Sequence, residues 1–201
     1  MDTLSASVLR DRKPQIGIVL GSGLGALAER IEGAEALPYS DIPGFPVSTA
    51  PEHKGRFVFG TIGDKEVVLM DGRVHLYEGY TPQQVVMPIR LMRQMGIHTV
   101  LLTNASGGIR RDLHAGDLML LTDHISSLVP SPLRGENDPS LGVRFPDMRH
   151  VYDEDLQRLF RQTAKALDIP LKSGVYIQLQ GPAFETPAEI KMCAALCADA
   201  V

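Results

Sequence analysis

Short apolar runs alternate with stretches of helical spacing along this chain. Residues 15–20 (QIGIVL), 98–103, 117–122 and 173–179 are apolar runs of the length and composition expected for buried strands. Between some of them, apolar residues recur every three or four positions, as at 153–167. Strands that alternate with helices predict an α/β fold built around a largely parallel sheet.

Helix boundaries can also be located from the sequence. A helical pattern over residues 82–95 contains Pro88, which predicts a break or kink, and Gly96 is predicted to terminate the helix. A second pattern runs from Thr186 to about Asp199, with Thr186 as the N-cap followed by Pro187 and Glu189. A further short helix is predicted after residue 24, where Leu24, Leu27, Ala28 and Ile31 share one face.

Two long segments and one hairpin complete the expected architecture. Residues 56–62 and 65–70 are strand-like and joined by Gly63-Asp64, a hairpin signal that makes the sheet mixed. Residues 33–55 are rich in Pro and Gly and are predicted to be a loop. Residues 123–150 form a second long loop, which in a compact domain is more often functional than idle. We therefore expect a single domain over residues 15–201, preceded by an N-terminal extension at 1–14.

Composition excludes several classes of function. The 201 residues carry a net charge of -4, without a basic run that would indicate nucleic-acid binding. The first 15 residues lack the apolar core of a secretion signal, and no run approaches the length of a membrane helix. Cys193 and Cys197 lie four apart, which is not a metal or redox spacing, so we expect two small apolar residues on a helix. A cytoplasmic protein fits these features.

The loop Gly21-Ser22-Gly23-Leu24-Gly25 directly follows the first apolar run. Glycines allow close approach of backbone N–H groups to a phosphate, and a helix start behind the turn favours an anion. Gly21, Gly23 and Ala26 also match the dinucleotide pattern G-x-G-x-x-A, which needs an acidic residue at the end of a second strand. Asp41 has the required separation but lies in a Pro-containing segment unsuited to a central strand. A phosphate site, a dinucleotide fold and a plain tight turn all remain open from this loop alone.

Three further segments place polar residues where strands end. Residues 73–80 (RVHLYEGY) contain an arginine, a histidine and a glutamate within eight positions, and the planar fork of arginine suits phosphate oxygens. Residues 104–108 (NASGG) follow another strand and are either a flexible turn or part of a site, since ligands gather at such strand ends in α/β sheets. Residues 180–186 (QGPAFET) place Phe184 and Glu185 before a helix, where Glu185 is either a helix-terminal acid or an acceptor for N–H groups of a ligand.

Taken together, these motifs resemble the trimeric purine nucleoside phosphorylases. The resemblance is carried by GSGLG, GRVHLYEGY, TNASGG and GPAFETPAEI in this order, together with DHI, PLRGEN and RFPDM in the second long loop. It implies a three-layer fold with a mixed sheet flanked by helices, and reversible phosphorolysis of purine nucleosides that prefers 6-oxopurines. It also implies a homotrimer that uses inorganic phosphate as co-substrate and needs no metal or organic cofactor. The methylthioadenosine phosphorylases, a sister family, are the alternative.

The resemblance also assigns roles to individual residues. The implied phosphate-binding residues are Ser22, His53, Arg73, His75 and Ala105. The implied ribose contacts are Tyr77, Phe184 and Phe145, the last reaching into the site of a neighbouring subunit. The implied base-site residues are Ala105, Ser106, Gly107, Phe184 and Glu185. His75 and Glu185 are the candidate catalytic residues, and no metal ligand is predicted.

The sequence departs from the family pattern in two respects. Ser106 stands where an alanine is commoner. The family pattern also continues beyond Val201 with a Gly-Met-Ser/Thr segment, an Asn-Lys pair and a histidine, so we expect a form truncated at its C-terminus with weak activity. Two other classes of function therefore stay open: a protein that only binds phosphate and nucleoside, and a dinucleotide-dependent oxidoreductase.

Overall fold

The computed structural model describes residues 13–49 and 54–201 of the chain. It has the expected mixed α/β architecture, with both parallel and antiparallel strand pairs and four α-helices among the described residues. The chain divides into two compact units, one ending at Ala105 and the other comprising Ser106–Val201. The single-domain boundary drawn from the sequence at residues 15–201 stays a prediction.

The first unit contains a mixed sheet of five strands: β1 (Ile16–Leu20), β2 (Glu32–Pro38), β3 (Arg56–Ile62), β4 (Lys65–Asp71) and β5 (Thr99–Leu102). Their order in the sheet is β2-β3-β4-β1-β5. Strand β1 pairs in parallel with both β4 and β5, whereas β3 pairs antiparallel with both β2 and β4. The predicted hairpin is confirmed, with Ile62 opposite Lys65 across the turn.

Successive residues of a strand point to opposite faces of the sheet, and both faces of this sheet carry buried apolar side chains. One face carries Ile18 and Leu20 of β1 against Ala28 and Ile31. The other face presents Val19 of β1 and is covered by two groups of residues, one from the segment after β2 and one from the helical region. The first group is Tyr39, Ile42 and Phe45, and the second is Leu91, Met92 and Ile97. Full burial of such side chains contributes about 1.5–3 kcal/mol each.

The predicted helix at 82–95 is present in two pieces, α1 (Pro82–Val85) and α2 (Met87–Gln94). Val86 separates them, so the chain breaks two residues before Pro88, in agreement with the predicted interruption. Gly96 has a φ of 88°, the left-handed conformation expected of a helix-terminating glycine.

Two predictions for the first unit are wrong. The segment expected to be a loop, residues 33–55, contains most of β2 and a 3-10 turn at Tyr39–Asp41. The helix expected after the glycine loop is only a five-residue 3-10 segment, Gly25–Glu29. The sequence does not predict β2, because this exposed edge strand lacks apolar alternation and its structure depends on pairing with β3.

The second unit is built around two parallel strands, β6 (Leu118–Ile125) and β7 (Leu171–Ile177). They are connected through α3 (Glu154–Ala166), and α4 (Pro187–Ala195) follows β7. Ile177, Cys193 and Ala198 form its small buried core. Strand β6 extends three residues further than predicted, and α4 ends at Ala195 rather than near residue 199 because Cys197 adopts a positive φ.

None of the helices in residues 13–49 and 54–201 is long and apolar enough to cross a bilayer.

Candidate active site

The carboxyl ends of β1, β4 and β5 meet at one edge of the first sheet. Leu20 of β1 lies opposite Asp71 of β4, and Val19 lies opposite Leu102 of β5. The segments that follow these three parallel strands contain, in turn, Ser22, Arg73 and Ala105. Four of the five predicted phosphate-binding residues, these three and His75, therefore belong to neighbouring loops of the first unit; His53 lies outside the described residues.

Gly21 brings the glycine loop close to the segment that follows β5. Its N–H donates to Thr103 Oγ1 at 2.9 Å, and that hydroxyl donates to the carbonyl of Val19 at 2.8 Å. A Cβ at this position would lie 2.6 Å from Asn104 Cα, so only glycine fits. Gly23 has a φ of 81°, which favours glycine again. The glycine loop is thus joined to the segment before Ala105 through Thr103.

His75 begins a single 3-10 turn, Leu76–Glu78, and its side chain is held by the last residue of that turn. Nδ1 of His75 lies 2.9 Å from Glu78 Oε1, and the backbone N–H of His75 donates to the same oxygen at 2.7 Å. An ionised carboxylate only accepts hydrogen bonds, so Nδ1 carries the proton. Nε2 is then the nitrogen that changes from acceptor to donor when the ring becomes protonated.

Glu78 remains ionised over the pH range in which a phosphate dianion exists. Burial of the carboxylate opposes ionisation, but hydrogen bonds from Thr49 and His75 outweigh that effect and lower the pKa of Glu78 to about 2. One of these bonds runs from the Thr49 hydroxyl to Glu78 Oε2 over 2.8 Å. No role was assigned to Glu78 from the sequence, although the three-residue spacing to His75 is that of a capping box.

Arg73 and Tyr77 lie two residues before and two residues after His75 in the sequence. The Tyr77 ring stacks on the His75 ring, with centroids 4.6 Å apart and planes 17° from parallel. Arg73 is half-buried, and its Nη1 atom is shielded from solvent. The first unit therefore combines a restrained histidine, a half-buried arginine and a glycine loop in neighbouring strand-end segments, all features suited to an anion.

The remaining candidate residues belong to the second unit. Glu185 is half-buried and directly precedes Thr186, whose hydroxyl caps α4 with the predicted capping box. Phe184 is 95% exposed. Gly107 exchanges two backbone hydrogen bonds with Val201, of 2.8 and 2.9 Å, and its neighbour Ser106 is exposed.

Phe145 lies in the long loop that follows β6, and its side chain is 87% exposed. Its neighbour Arg144 donates from Nη1 to the carbonyls of Leu133 and Gly135, at 3.0 and 2.7 Å. Hydrogen bonds from a side chain to backbone carbonyls of the same loop stabilise its conformation. The functional assignments of Phe145 and of the other candidate residues stay predictions.

The dinucleotide-binding alternative does not fit the structure. That fold requires a helix after the glycine loop and a second parallel strand that ends in an acidic residue. Here a 3-10 segment follows the loop, and the next strand, β2, is an antiparallel edge strand. Asp41 belongs to a 3-10 turn after β2.

Within residues 13–49 and 54–201, no group of three or more His, Cys, Asp or Glu side chains could hold a metal ion.

Comparison with known proteins agrees with this architecture. Residues 15–201 match the model of the phosphorylase superfamily, and the chain belongs to that family. It is 47% identical over 188 residues to purine nucleoside phosphorylase 1 of Bacillus subtilis (strain 168), an alignment that covers 94% of this chain and 69% of that relative.

Two solved structures extend the comparison. The Schistosoma mansoni purine nucleoside phosphorylase in complex with inosine superimposes with a TM-score of 0.88 at 39% identity, covering 94% of this chain and 68% of that one. A purine nucleoside phosphorylase in complex with ribose 1-phosphate gives a TM-score of 0.88 at 40% identity, covering 94% and 71%.

Proposed function

We propose that the protein catalyses the reversible phosphorolysis of purine nucleosides, giving the free base and ribose or deoxyribose 1-phosphate. The relatives named above are purine nucleoside phosphorylases, and the solved ones bind inosine or ribose 1-phosphate. Inorganic phosphate is the co-substrate of this reaction.

The observation that carries the proposal is the restrained His75, which follows Arg73 by two residues in the segment after β4. Glu78 holds Nδ1 of His75 and so restricts the orientation of the ring, and phosphate is proposed to bind at Nε2. Arg73 adds a permanent positive charge with several donors, and the Gly21–Gly25 loop adds backbone N–H groups and the hydroxyl of Ser22. This combination favours an oxyanion such as phosphate.

Phosphate needs positioning more than activation, because it is already a nucleophile. Arg73 and His75 would hold it for attack on the anomeric carbon, opposite the departing base. The transition state resembles an oxocarbenium ion, as in glycoside cleavage generally, and the adjacent phosphate dianion stabilises it. One displacement inverts the anomeric centre without a covalent enzyme intermediate.

Glu185 is the proposed acceptor for the base. The purine leaves with developing negative charge, so fixed polar groups around the ring contribute to rate. A 6-oxopurine carries an N1–H that can donate to a carboxylate, whereas adenine has no proton on N1. We therefore expect inosine and guanosine to be better substrates than adenosine.

We further propose that the protein forms a homotrimer in which Phe145 contributes to the sugar site of a neighbouring copy. The exposure of this large aromatic side chain supports the proposal, since exposed aromatic residues are frequent at interfaces.

Release of hypoxanthine from inosine, with and without inorganic phosphate, tests the proposed reaction. Arg73→Gln should lower kcat/KM for phosphate at least about 100-fold, because it removes a charged ligand of a dianion. Arg93→Gln is the matched control, since Arg93 lies in the last turn of α2, contacts His98 and is not one of the candidate site residues. Phosphate binding in calorimetry without hypoxanthine release would indicate a binding protein, and preferential cleavage of methylthioadenosine would indicate the sister activity.

The base preference has a separate test. Phosphate-dependent release of hypoxanthine from inosine is compared with release of adenine from adenosine, in the natural protein and in Glu185→Gln. We expect faster inosine cleavage and a lower kcat/KM for inosine in the variant. Faster adenine release, or an unchanged variant, contradicts the assignment of Glu185.

A further inference from the structure

The turn between β4 and Arg73 is unusually constrained. Asp71, the last residue of β4, is only 2% exposed. Gly72 follows with a φ of 98°, a conformation that side-chain-bearing residues rarely adopt. The direction in which Arg73 leaves the strand therefore depends on how this left-handed turn is held.

The hydroxyl of Tyr39 holds the turn from within the core. It donates to the carbonyl oxygen of Gly72 at 2.8 Å across 33 residues of sequence, and the Tyr39 side chain is completely buried. Its ring packs against Phe45 and Phe57, with centroids 4.9 and 5.0 Å away. Burial, and then the negative charge of Asp71, raise the pKa of Tyr39 well above its ordinary value, so the hydroxyl remains a donor.

An ion pair holds the same turn through Asp71. Arg56 Nε lies 2.9 Å from Asp71 Oδ2, and Arg56 Nη2 lies 2.7 Å from Glu29 Oε1. Glu29 is the last residue of the 3-10 segment that follows the glycine loop. Arg56 thus connects the end of β4 with the segment behind the Gly21–Gly25 loop.

We propose that Tyr39 is a positioning residue for phosphate binding, acting through the Gly72 carbonyl to set the orientation of Arg73. The proposal rests on the function proposed above. Its physical basis is that a buried carbonyl and a buried hydroxyl each lose their partner if the bond is broken, so the native turn is strongly favoured. Packing of the aromatic ring alone would not require the hydroxyl, since phenylalanine fills nearly the same volume.

The test is Tyr39→Phe, which keeps the ring and removes the donor. Calorimetry with inorganic phosphate alone gives the Kd, and steady-state phosphorolysis of inosine gives separate KM values for phosphate and nucleoside. We expect the Kd and KM for phosphate to rise about tenfold, the effect of losing one neutral hydrogen bond. The KM for inosine should remain within about twofold of its original value.

Phe57→Leu is the matched control, because Phe57 packs on the Tyr39 ring but makes no bond to Gly72. It should lower stability without a selective change in phosphate affinity. If Tyr39→Phe does not fold, Asp71→Asn provides a second test, because it weakens the ion pair between Arg56 and Asp71. It should produce a smaller rise in the Kd and KM for phosphate, again without a change in the KM for inosine.

Each outcome separates this inference from the proposed function. An unchanged phosphate Kd in Tyr39→Phe, beside a large loss in Arg73→Gln, overturns the role of Tyr39 and leaves phosphorolysis standing. Equal increases in both KM values, or the same phosphate effect in Phe57→Leu, also overturn it. Equal phosphate affinity in the natural protein and Arg73→Gln contradicts the proposed function itself.

Discussion

Glu78 Oε1 receives two hydrogen bonds from one residue, His75: one from the backbone N–H at 2.7 Å and one from ring Nδ1 at 2.9 Å. The Glu78 side chain is 2% exposed and that of His75 is 20% exposed, so the pair is largely sheltered from water. Shielded, charge-assisted bonds of this kind are stronger than their exposed counterparts. They restrict both the tautomer and the orientation of the imidazole.

Glu78→Gln should therefore impair phosphorolysis even though the substituted side chain has nearly the same shape. The carboxamide carries no charge, and its NH2 group cannot accept the bonds that the carboxylate accepts. We expect kcat/KM for phosphate to fall about 10- to 100-fold, by analogy with carboxylates that orient metal-ligating histidines. Steady-state rates at varied phosphate measure this. Glu66→Gln, at an exposed position of β4, serves as control and should be silent.

Ionisation of Glu78 should also make stability depend on pH. Its pKa is lowered from 4.5 to about 2 in the folded protein, so the folded state binds this proton less readily than the unfolded chain. The stabilisation is fully present above pH 4.5 and is lost as pH falls toward 2. The difference is on the order of 3 kcal/mol. Urea denaturation at several pH values should show a steeper loss in the natural protein than in Glu78→Gln; parallel curves contradict the prediction.

Gly21→Ala tests the junction of the glycine loop with the segment before Ala105. The added methyl group would meet the backbone at Asn104 Cα, 2.6 Å away, so one of the two loops must move. We expect a stability loss of about 1–3 kcal/mol together with weakened phosphate binding. Gly25→Ala is the comparison for stability alone, since its Cβ would meet only Asp71 Oδ1 at 3.2 Å. Denaturation should show a larger loss of stability in Gly21→Ala than in Gly25→Ala, and an equal loss would contradict the predicted clash. Calorimetry with phosphate compares Gly21→Ala with the natural protein.

The parts of this structure that the sequence predicts are those specified locally. Apolar runs located β1 and β5, and Thr186 with Glu189 located the start of α4. The histidine and arginine of the candidate site were found because they lie close together in the sequence. Contacts between distant segments could not be found this way: the bond from Tyr39 to Gly72 spans 33 residues, and β2 exists only because it pairs with β3.

Cys197→Gly should stabilise the protein. Cys197 has a φ of 63° directly after the C-cap of α4, and the end of the helix is closed by bonds from Cys197 N to Ala194 O and from Ala198 N to Cys193 O. Glycine relieves the left-handed strain but is more flexible in the unfolded chain, so the net gain is below about 1 kcal/mol. Asp168→Gly, at the matching position after α3, should gain less because aspartate tolerates this conformation better. Thermal denaturation measures the stability of each variant, and a lower Tm for Cys197→Gly than for the natural protein would contradict the prediction.

Phe145 provides the sharpest test of the proposed trimer. If each sugar site takes its Phe145 from a neighbouring copy, Phe145→Ala lacks the aromatic contact and Arg73→Gln lacks the phosphate ligand, so each variant alone is impaired. Co-expression of the two variants should form mixed trimers in which one site joins an intact Arg73 to an intact Phe145. Activity should then rise above the sum of the separate variants, because complementation across an interface requires oligomerisation. Activity equal to that sum, while the variants still associate in sedimentation, means that Phe145 does not serve a neighbouring site.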